Sequence, residues 1–127
     1  MASLDSKILV VDDTKGIRFV VVKLLKELGY TNIIEAENGK IALEQITAPG
    51  SNVRLIIADI KMPEMDGLQL LQTMKALGKY NHLPIIVLSA ESDKTTIVKA
   101  IDYGAKDYII KPVEKNILNE KLKKFMI

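Results

Sequence analysis

Five short apolar runs alternate with five amphipathic segments along the chain. The runs are Lys7–Val11, Asn32–Ala36, Leu55–Asp59, Ile85–Leu88 and Asp107–Ile110. They are rich in Ile and Val, which favour β-strands, whereas the apolar residues between them recur every three or four positions, as in helices. Because the connections are short, right-handed crossovers predict a doubly wound α/β domain, with one parallel sheet covered by helices on both faces.

Each predicted helix has an apolar stripe and a polar residue or glycine at its ends. Asp13 or Thr14 can cap the first helix and Gly29 can end it, while the fourth helix is predicted from about Asp93 to Tyr103. The stripes predicted to face the sheet comprise Ile17, Val20, Val21, Leu24, Leu25 and Leu28, then Ile41, Ala42, Leu43 and Ile46, then Leu68, Leu71 and Met74, then Ile97 and Ile101, and finally Ile117, Leu118, Leu122 and Phe125.

Polar residues follow four of the five predicted strands. Asp12 and Asp13 come after the first, Asp59 ends the third, Ser89 follows the fourth and Lys111 follows the fifth. Parallel strands place these ends at one edge of the sheet, where α/β proteins bind ligands. Three carboxylates in one crevice call for a cation, and so sparse an oxygen set suits Mg²⁺ better than Ca²⁺. A carboxylate beside a lysine and a hydroxyl suits phosphoryl transfer.

Composition narrows the classes of function. The 127 residues are 48% hydrophobic and 27% charged, which predicts a single domain over residues 1–127. The net charge is +2 with Lys and Arg scattered along the chain, which argues against direct binding to nucleic acid. The absence of Cys excludes disulfides and thiolate metal sites. No apolar run approaches a membrane span and no secretory signal is visible, so we expect a cytoplasmic protein.

Several longer motifs make the whole chain resemble a known family. They are Val10–Asp13, Asp59–Gly67, Ser89–Ala90, Gly104–Tyr108 and Lys111–Pro112. By these motifs the chain resembles response-regulator receiver domains of the single-domain, chemotaxis CheY type. The resemblance implies a flavodoxin-like (βα)5 fold with a five-stranded parallel sheet of order 2-1-3-4-5. It also implies a phosphorelay signalling module in a two-component system, and not an enzyme acting on an external metabolite.

The resemblance assigns the phosphoacceptor and the metal ligands. Asp59 would accept a phosphoryl group from a sensor histidine kinase or a phosphotransfer protein. Asp12, Asp13 and Asp59 would bind Mg²⁺ together with the backbone carbonyl of Lys61. The domain would catalyse only its own phosphorylation and dephosphorylation.

The resemblance also assigns the residues that read the phosphoryl group. Ser89 and Lys111 would contact the phosphoryl oxygens, and Lys111–Pro112 is expected to be a cis peptide. Tyr108 would be the switch aromatic that turns inward when Ser89 moves toward the phosphate. Without the motif, Tyr108 would be read as a half-buried strand residue with its hydroxyl in water.

The surface of helix 4, strand 5 and helix 5 would bind a downstream protein such as a chemotaxis motor component. We expect the protein to be a monomer. The alternative is a dimer that forms on phosphorylation through Lys106 and Asp107 of this surface. Lysines are more frequent than acidic residues on this surface, so it would attract an acidic partner. The alternative is that these lysines are simply solvated and bind no partner. The lysines are Lys94, Lys99, Lys106, Lys115 and Lys121, and the acids are Asp102, Asp107 and Glu114.

Two side chains next to the site residues are candidates for tuning the phosphoryl lifetime. Lys61 and Glu91 each lie two positions beyond a site residue and could pair across the crevice, hindering the attacking water. The alternative is that both are solvated and contribute little.

Three other functions remain open at this point. A phosphatase of the haloacid dehalogenase kind also uses a strand-end Asp and Mg²⁺, but it usually has a second acid where this chain has Lys61. An interaction module independent of phosphorylation would need a damaged site. A receiver excised from a longer protein, or acting with a separate output protein, would have the same sequence pattern.

Overall fold

Strands and helices alternate throughout residues 4–90 and 94–125, the part of the chain that this computed structural model describes. The strands are β1 (Lys7–Val11), β2 (Ile33–Ala36), β3 (Val53–Asp59), β4 (Ile85–Ser89) and β5 (Asp107–Ile110). The helices are α1 (Lys15–Glu27), α2 (Gly39–Thr47), α3 (Gly67–Leu77), α4 (Lys94–Asp102) and α5 (Lys115–Phe125). None of these helices has the length and apolarity required to cross a membrane.

The five strands form one parallel sheet in the order β2-β1-β3-β4-β5, which confirms the predicted flavodoxin-like fold. The register aligns the carboxyl ends of neighbouring strands. Val11 lies opposite Ala58, so Asp12 lies level with Asp59, and Asp59 in turn lies opposite Leu88. The crevice at this edge is therefore built from β1, β3 and β4.

Two apolar layers cover the two faces of the sheet. Leu9 and Ile56 face α2, α3 and α4, whereas Ile8 and Ile57 face α1 and α5. Because side chains alternate along a strand, both faces of the central strands need apolar residues, which explains their near-continuous apolar sequence. Residues 55–58 of β3 are at most 1% exposed, so the strand that carries Asp59 is held firmly in the core.

The predicted apolar stripes were too wide on three helices. Val20, Ile101 and Ile117 are 46%, 43% and 38% exposed, although they were expected to face the sheet. A helix lying on a sheet buries a narrow line of residues, and here α4 buries Ile97 and Ala100. The sequence pattern predicted that every apolar residue near that line is buried, and this was wrong for the three residues that lie beside the line.

The caps and boundaries of the elements differ slightly from the predicted ones. Thr14 is the N-cap of α1, but its side chain makes no capping hydrogen bond. Its backbone N–H donates to Asp12 Oδ1 at 2.8 Å, so the side chain of a candidate site residue holds the turn that leads into the helix. Strand β3 begins two residues earlier than predicted, at Val53. The predicted start of the fourth helix, Asp93, lies outside the described residues.

Candidate functional site

Three carboxylates meet at the carboxyl edge of the sheet. Oxygen atoms of Asp12, Asp13 and Asp59 all lie within 4.8 Å of one another. Asp12 is completely buried, Asp59 is 6% exposed, and Asp13 is exposed. The structure therefore brings together the three acidic residues that the strand-end pattern singled out, with two of the charges sheltered from water.

A lysine from the end of β5 reaches into this acidic cluster. Lys111 Nζ lies 3.2 Å from Asp59 Oδ1 and 3.6 Å from Asp12 Oδ2. The resemblance predicted a cis peptide at Lys111–Pro112, and the structure has it. One ammonium group thus lies beside two buried carboxylates, and the exposed carboxylate of Asp13 adjoins them, so the cluster holds more acidic groups than basic ones.

Burial raises the pKa of both Asp12 and Asp59 above the ordinary value of 3.8. The charge of Asp12 raises the pKa of Asp59 further, because like charges disfavour ionisation. Lys111 and backbone N–H donors act in the opposite direction without outweighing burial. The ionised site is therefore electrostatically costly in this state, and additional positive charge would relieve it.

The donor set fits a hard divalent cation. Within the described chain, Asp12 Oδ2 is a buried oxygen without a hydrogen-bond partner, and such an atom is normally satisfied in a native protein. Beside it lie oxygens of Asp13 and Asp59, the ligand type that Mg²⁺ prefers. The side chain of Lys61 is exposed, and its backbone carbonyl as a fourth ligand stays a prediction.

The two predicted switch residues lie on adjacent strands. Ser89 ends β4, is 2% exposed, and its hydroxyl donates to the Ala90 carbonyl at 3.1 Å. Tyr108 lies on the edge strand β5 and is 38% exposed, with Lys121 Nζ 5.3 Å from its ring centroid. Tyr108 thus occupies the surface in this state. Glu91 lies outside the described residues, so its predicted pairing with Lys61 stays a prediction.

The predicted output surface contains an apolar groove of about 400 Å³ between α4 and β5. Val98, Ile101, Tyr108 and Ile110, each at least 37% exposed, line it. Such a concentration of exposed apolar side chains is typical of a protein-binding surface. Tyr108 lines the same groove, so its position helps to set the shape of this surface.

Ion pairs within the chain reduce the charge available on that surface. Lys115 pairs with Glu27 at 3.3 Å, and Asp107 accepts contacts from Lys121 at 2.8 Å and Lys124 at 3.1 Å. The monomer stays a prediction, and the alternative, a dimer through Lys106 and Asp107, would have to compete with the contacts of Asp107.

Two residues that sequence analysis did not assign to the site support its backbone. A Cβ on Gly67 would lie 2.6 Å from the carbonyl oxygen of Asp59, and the Gly67 N–H donates to the Ile60 carbonyl at 2.7 Å. Arg18 Nη1 donates to the Asp12 carbonyl at 2.6 Å, while its Nε contacts Glu35 at 3.0 Å. In the sequence, Gly67 was recognised only as a turn residue of the Asp59–Gly67 motif. For Arg18, its position on α1, one turn after the N-cap, was the available signal for a contact with the end of β1.

Comparisons with known proteins agree with this geometry. The chain is 37% identical over 116 residues to the chemotaxis protein CheY1 of Helicobacter pylori strain J99, covering 91% of this chain and 93% of that protein. It is 38% identical to a chemotaxis protein CheY homologue of Campylobacter jejuni strain 81-176, with 91% and 88% of the two chains covered. A solved structure of the chemotaxis protein CheY4 of Vibrio cholerae matches with a TM-score of 0.82 and 28% identity over 95% of this chain and 98% of that one.

The family model of the response regulator receiver domain matches residues 8–123, which include all the residues of the acidic site. The fold, the site and the relatives all point to one conclusion: this chain belongs to the response-regulator receiver domain family and is of the CheY type.

Proposed function

We propose that this chain is a two-component response regulator in which Asp59 accepts a phosphoryl group from a histidine kinase or a phosphotransfer protein. The observation that carries the proposal is the setting of Asp59 at the end of β3. Its Oδ1 lies 3.2 Å from Lys111 Nζ, and its carboxylate shares a cluster with Asp12 and Asp13. This setting supports the proposal, because phosphoryl transfer needs a nucleophile beside groups that can neutralise charge, either directly or by holding a cation.

The transfer forms one bond and breaks one. A carboxylate oxygen of Asp59 attacks the phosphorus of a phosphohistidine, the P–N bond breaks, and the departing imidazole nitrogen keeps the electron pair and takes up a proton from solvent. Lys111 and the hydroxyl of Ser89 bind the phosphoryl oxygens. Lys111 already lies beside Asp59, so its charge is in place before the donor arrives. Catalysis of this kind depends mostly on positioning and charge neutralisation.

The acidic cluster would hold Mg²⁺ through Asp12, Asp13 and Asp59, with the Lys61 carbonyl as a further ligand. When bound, the ion would neutralise charge on the transferred group. The buried Asp12 Oδ2, which has no hydrogen-bond partner, and the raised pKa of both buried carboxyl groups support this assignment.

Phosphorylation would become a signal through Ser89 and Tyr108. The phosphoryl group adds roughly −1.5 to −2 charge and new acceptor oxygens. The Ser89 hydroxyl, which donates to the Ala90 carbonyl at 3.1 Å, would turn toward them. Tyr108 would then move from the surface toward the space beside Ser89, reshaping the groove between α4 and β5. The names of the relatives, which are chemotaxis proteins, support a partner in a chemotaxis system.

Chemical trapping of the acyl phosphate tests this proposal. After incubation with a phosphorylated histidine kinase domain and Mg²⁺, borohydride reduction converts a phosphoaspartate to homoserine, which peptide mass spectrometry locates. We expect homoserine at position 59 only. Asp102→Asn, an exposed charge on α4, serves as the matched control and should behave like wild type. Modification at another Asp, or its persistence in Asp59→Asn, would contradict the assignment.

A further inference from the structure

A second charged cluster joins the edge strand β5 to α5, away from the acidic site. Asp107 Oδ1 contacts Lys121 Nζ at 2.8 Å and also accepts the Tyr108 backbone N–H at 2.8 Å. Asp107 Oδ2 contacts Lys124 Nζ at 3.1 Å. The carboxylate therefore connects the backbone at Tyr108 to two lysines of the last helix.

The ammonium group of Lys121 has a second contact, with the aromatic ring of the neighbouring residue. Lys121 Nζ lies 5.3 Å from the centroid of the Tyr108 ring, within the range of a cation–π interaction. The side chains of Asp107 and Lys121 are only 12% and 22% exposed, so solvent screens their contacts incompletely. The charge of Lys121 thus contacts both the carboxylate of Asp107 and the ring of Tyr108.

We infer that Lys121 is a positioning residue that holds the Tyr108 ring in its outward orientation, and that Asp107 fixes Lys121 in the place where it does so. The inference rests on the proposed function, because its consequence is measured through phosphorylation. Asp107 immediately precedes Tyr108 on β5, and its carboxylate binds Lys121 whatever the orientation of the Tyr108 ring. When the ring turns toward Ser89, Lys121 therefore stays with Asp107 and its contact with the ring is lost.

This arrangement sets the balance between the outward and inward states of Tyr108. Any contact made only in the outward state opposes phosphorylation, because binding and conformational equilibria are reciprocally linked. Removing the charge of Lys121 should therefore favour the inward state and tighten binding of a phosphoryl mimic. A cation–π contact at a partly exposed site corresponds to a change of about 2- to 5-fold in the apparent affinity.

Beryllofluoride with Mg²⁺ is the mimic to use, titrated into wild type and single variants. Lys121→Gln removes the charge and should lower the apparent Kd by about 2- to 5-fold. Lys121→Arg keeps the charge and should restore the wild-type Kd. Lys123→Gln is the matched control, since Lys123 is exposed on the same helix, and it should leave the Kd unchanged. Asp107→Asn should act in the same direction as Lys121→Gln.

A measurement on the free protein tests the contact itself. In NMR spectra, the ε-methylene protons of Lys121 should be shifted upfield by the Tyr108 ring relative to those of Lys123, and Tyr108→Leu should abolish the shift. The absence of this shift contradicts the inference. If wild type binds beryllofluoride and Lys121→Gln binds it with the same Kd, the inference is also contradicted, while the proposed function stands. A wild-type protein that binds no beryllofluoride contradicts the proposed function and the switching role with it.

Discussion

Replacing Asp12 by Asn should stabilise the protein when no divalent cation is bound. The Asp12 carboxylate is completely buried, its Oδ2 has no hydrogen-bond partner, and its pKa is raised by burial. An amide of nearly the same shape removes the buried charge and keeps the Oδ1 atom that accepts the Thr14 N–H. The perturbation therefore acts on electrostatics and leaves the packing of the strand end nearly unchanged.

The magnitude follows from the burial of Asp12 and from the charges around it. At an effective dielectric constant of about 20, a second carboxylate within 4.8 Å repels it by about 3.5 kcal/mol or more, and Lys111 at 3.6 Å attracts it by about 4.6 kcal/mol. Both Asp59 and Asp13 repel it, although solvent screens the exposed Asp13. These opposing charges largely offset one another, so the burial of the carboxylate decides the sign. We expect Asp12→Asn to raise the free energy of unfolding by about 1–3 kcal/mol at neutral pH.

Urea unfolding in the presence of a chelator measures this change, with Glu44→Gln on the exposed face of α2 as the control for loss of one negative charge. A carboxyl group whose folded pKa is raised destabilises the fold progressively as pH rises from its ordinary value of 3.8 through the folded value. The advantage of Asp12→Asn should therefore shrink as the pH is lowered toward about 4 and the wild-type carboxyl takes up its proton. A variant that is less stable than wild type at pH 7, or an advantage independent of pH, would refute this reasoning.

Three further predictions concern the neighbouring residues. Gly67→Ala should cost about 1–3 kcal/mol of stability and slow phosphorylation from acetyl phosphate, because the added Cβ would lie 2.6 Å from the Asp59 carbonyl oxygen. Phosphorylation rates and unfolding midpoints equal to those of wild type would contradict the close packing. Lys111→Met should cost about 1–3 kcal/mol in chelator, with partial recovery on adding Mg²⁺, because it removes the cation between Asp12 and Asp59; urea unfolding with and without the ion checks this. Burial would raise the pKa of Asp107, but Lys121, the Tyr108 N–H and Lys124 together lower it below 3.8, so the stability from its ion pairs is present above that pH and is lost as pH falls through the lowered value. Asp107→Asn should therefore be destabilising at pH 7, with a cost that shrinks as the pH falls below 3.8 and through the lowered pKa, and a pH-independent cost would count against the ion pairs.

The fold and the centre of the site could be predicted from the sequence because both follow from strong local patterns. Apolar runs followed by Asp12 and ended by Asp59 mark buried strands and their carboxyl ends. Because the strands pair in parallel, these ends lie side by side at the same edge of the sheet. The strand order itself came from the family resemblance, since alternation alone allows several orders. The sheet register then explains why residues 47 positions apart share one crevice.

Features that depend on tertiary contact could not be predicted from pattern. The width of the buried stripe on α4 depends on how the helix lies on the sheet, so Ile101 was misplaced while Ala100 went unnoticed. Gly67 is needed because the backbone after Asp59 passes close to it, and not because a turn requires a left-handed residue. The bond from Arg18 to the Asp12 carbonyl likewise needs the helix and the strand end to be in place.

Intact-mass spectrometry after incubation with acetyl phosphate tests the central claim most directly. In the presence of Mg²⁺ the wild-type chain and Asp102→Asn should each gain one phosphoryl group, whereas Asp59→Asn and a chelator-treated wild-type sample should gain none. A phosphoryl group that appears on Asp59→Asn to the same extent, or that forms equally well in chelator, would contradict a Mg²⁺-dependent transfer to Asp59.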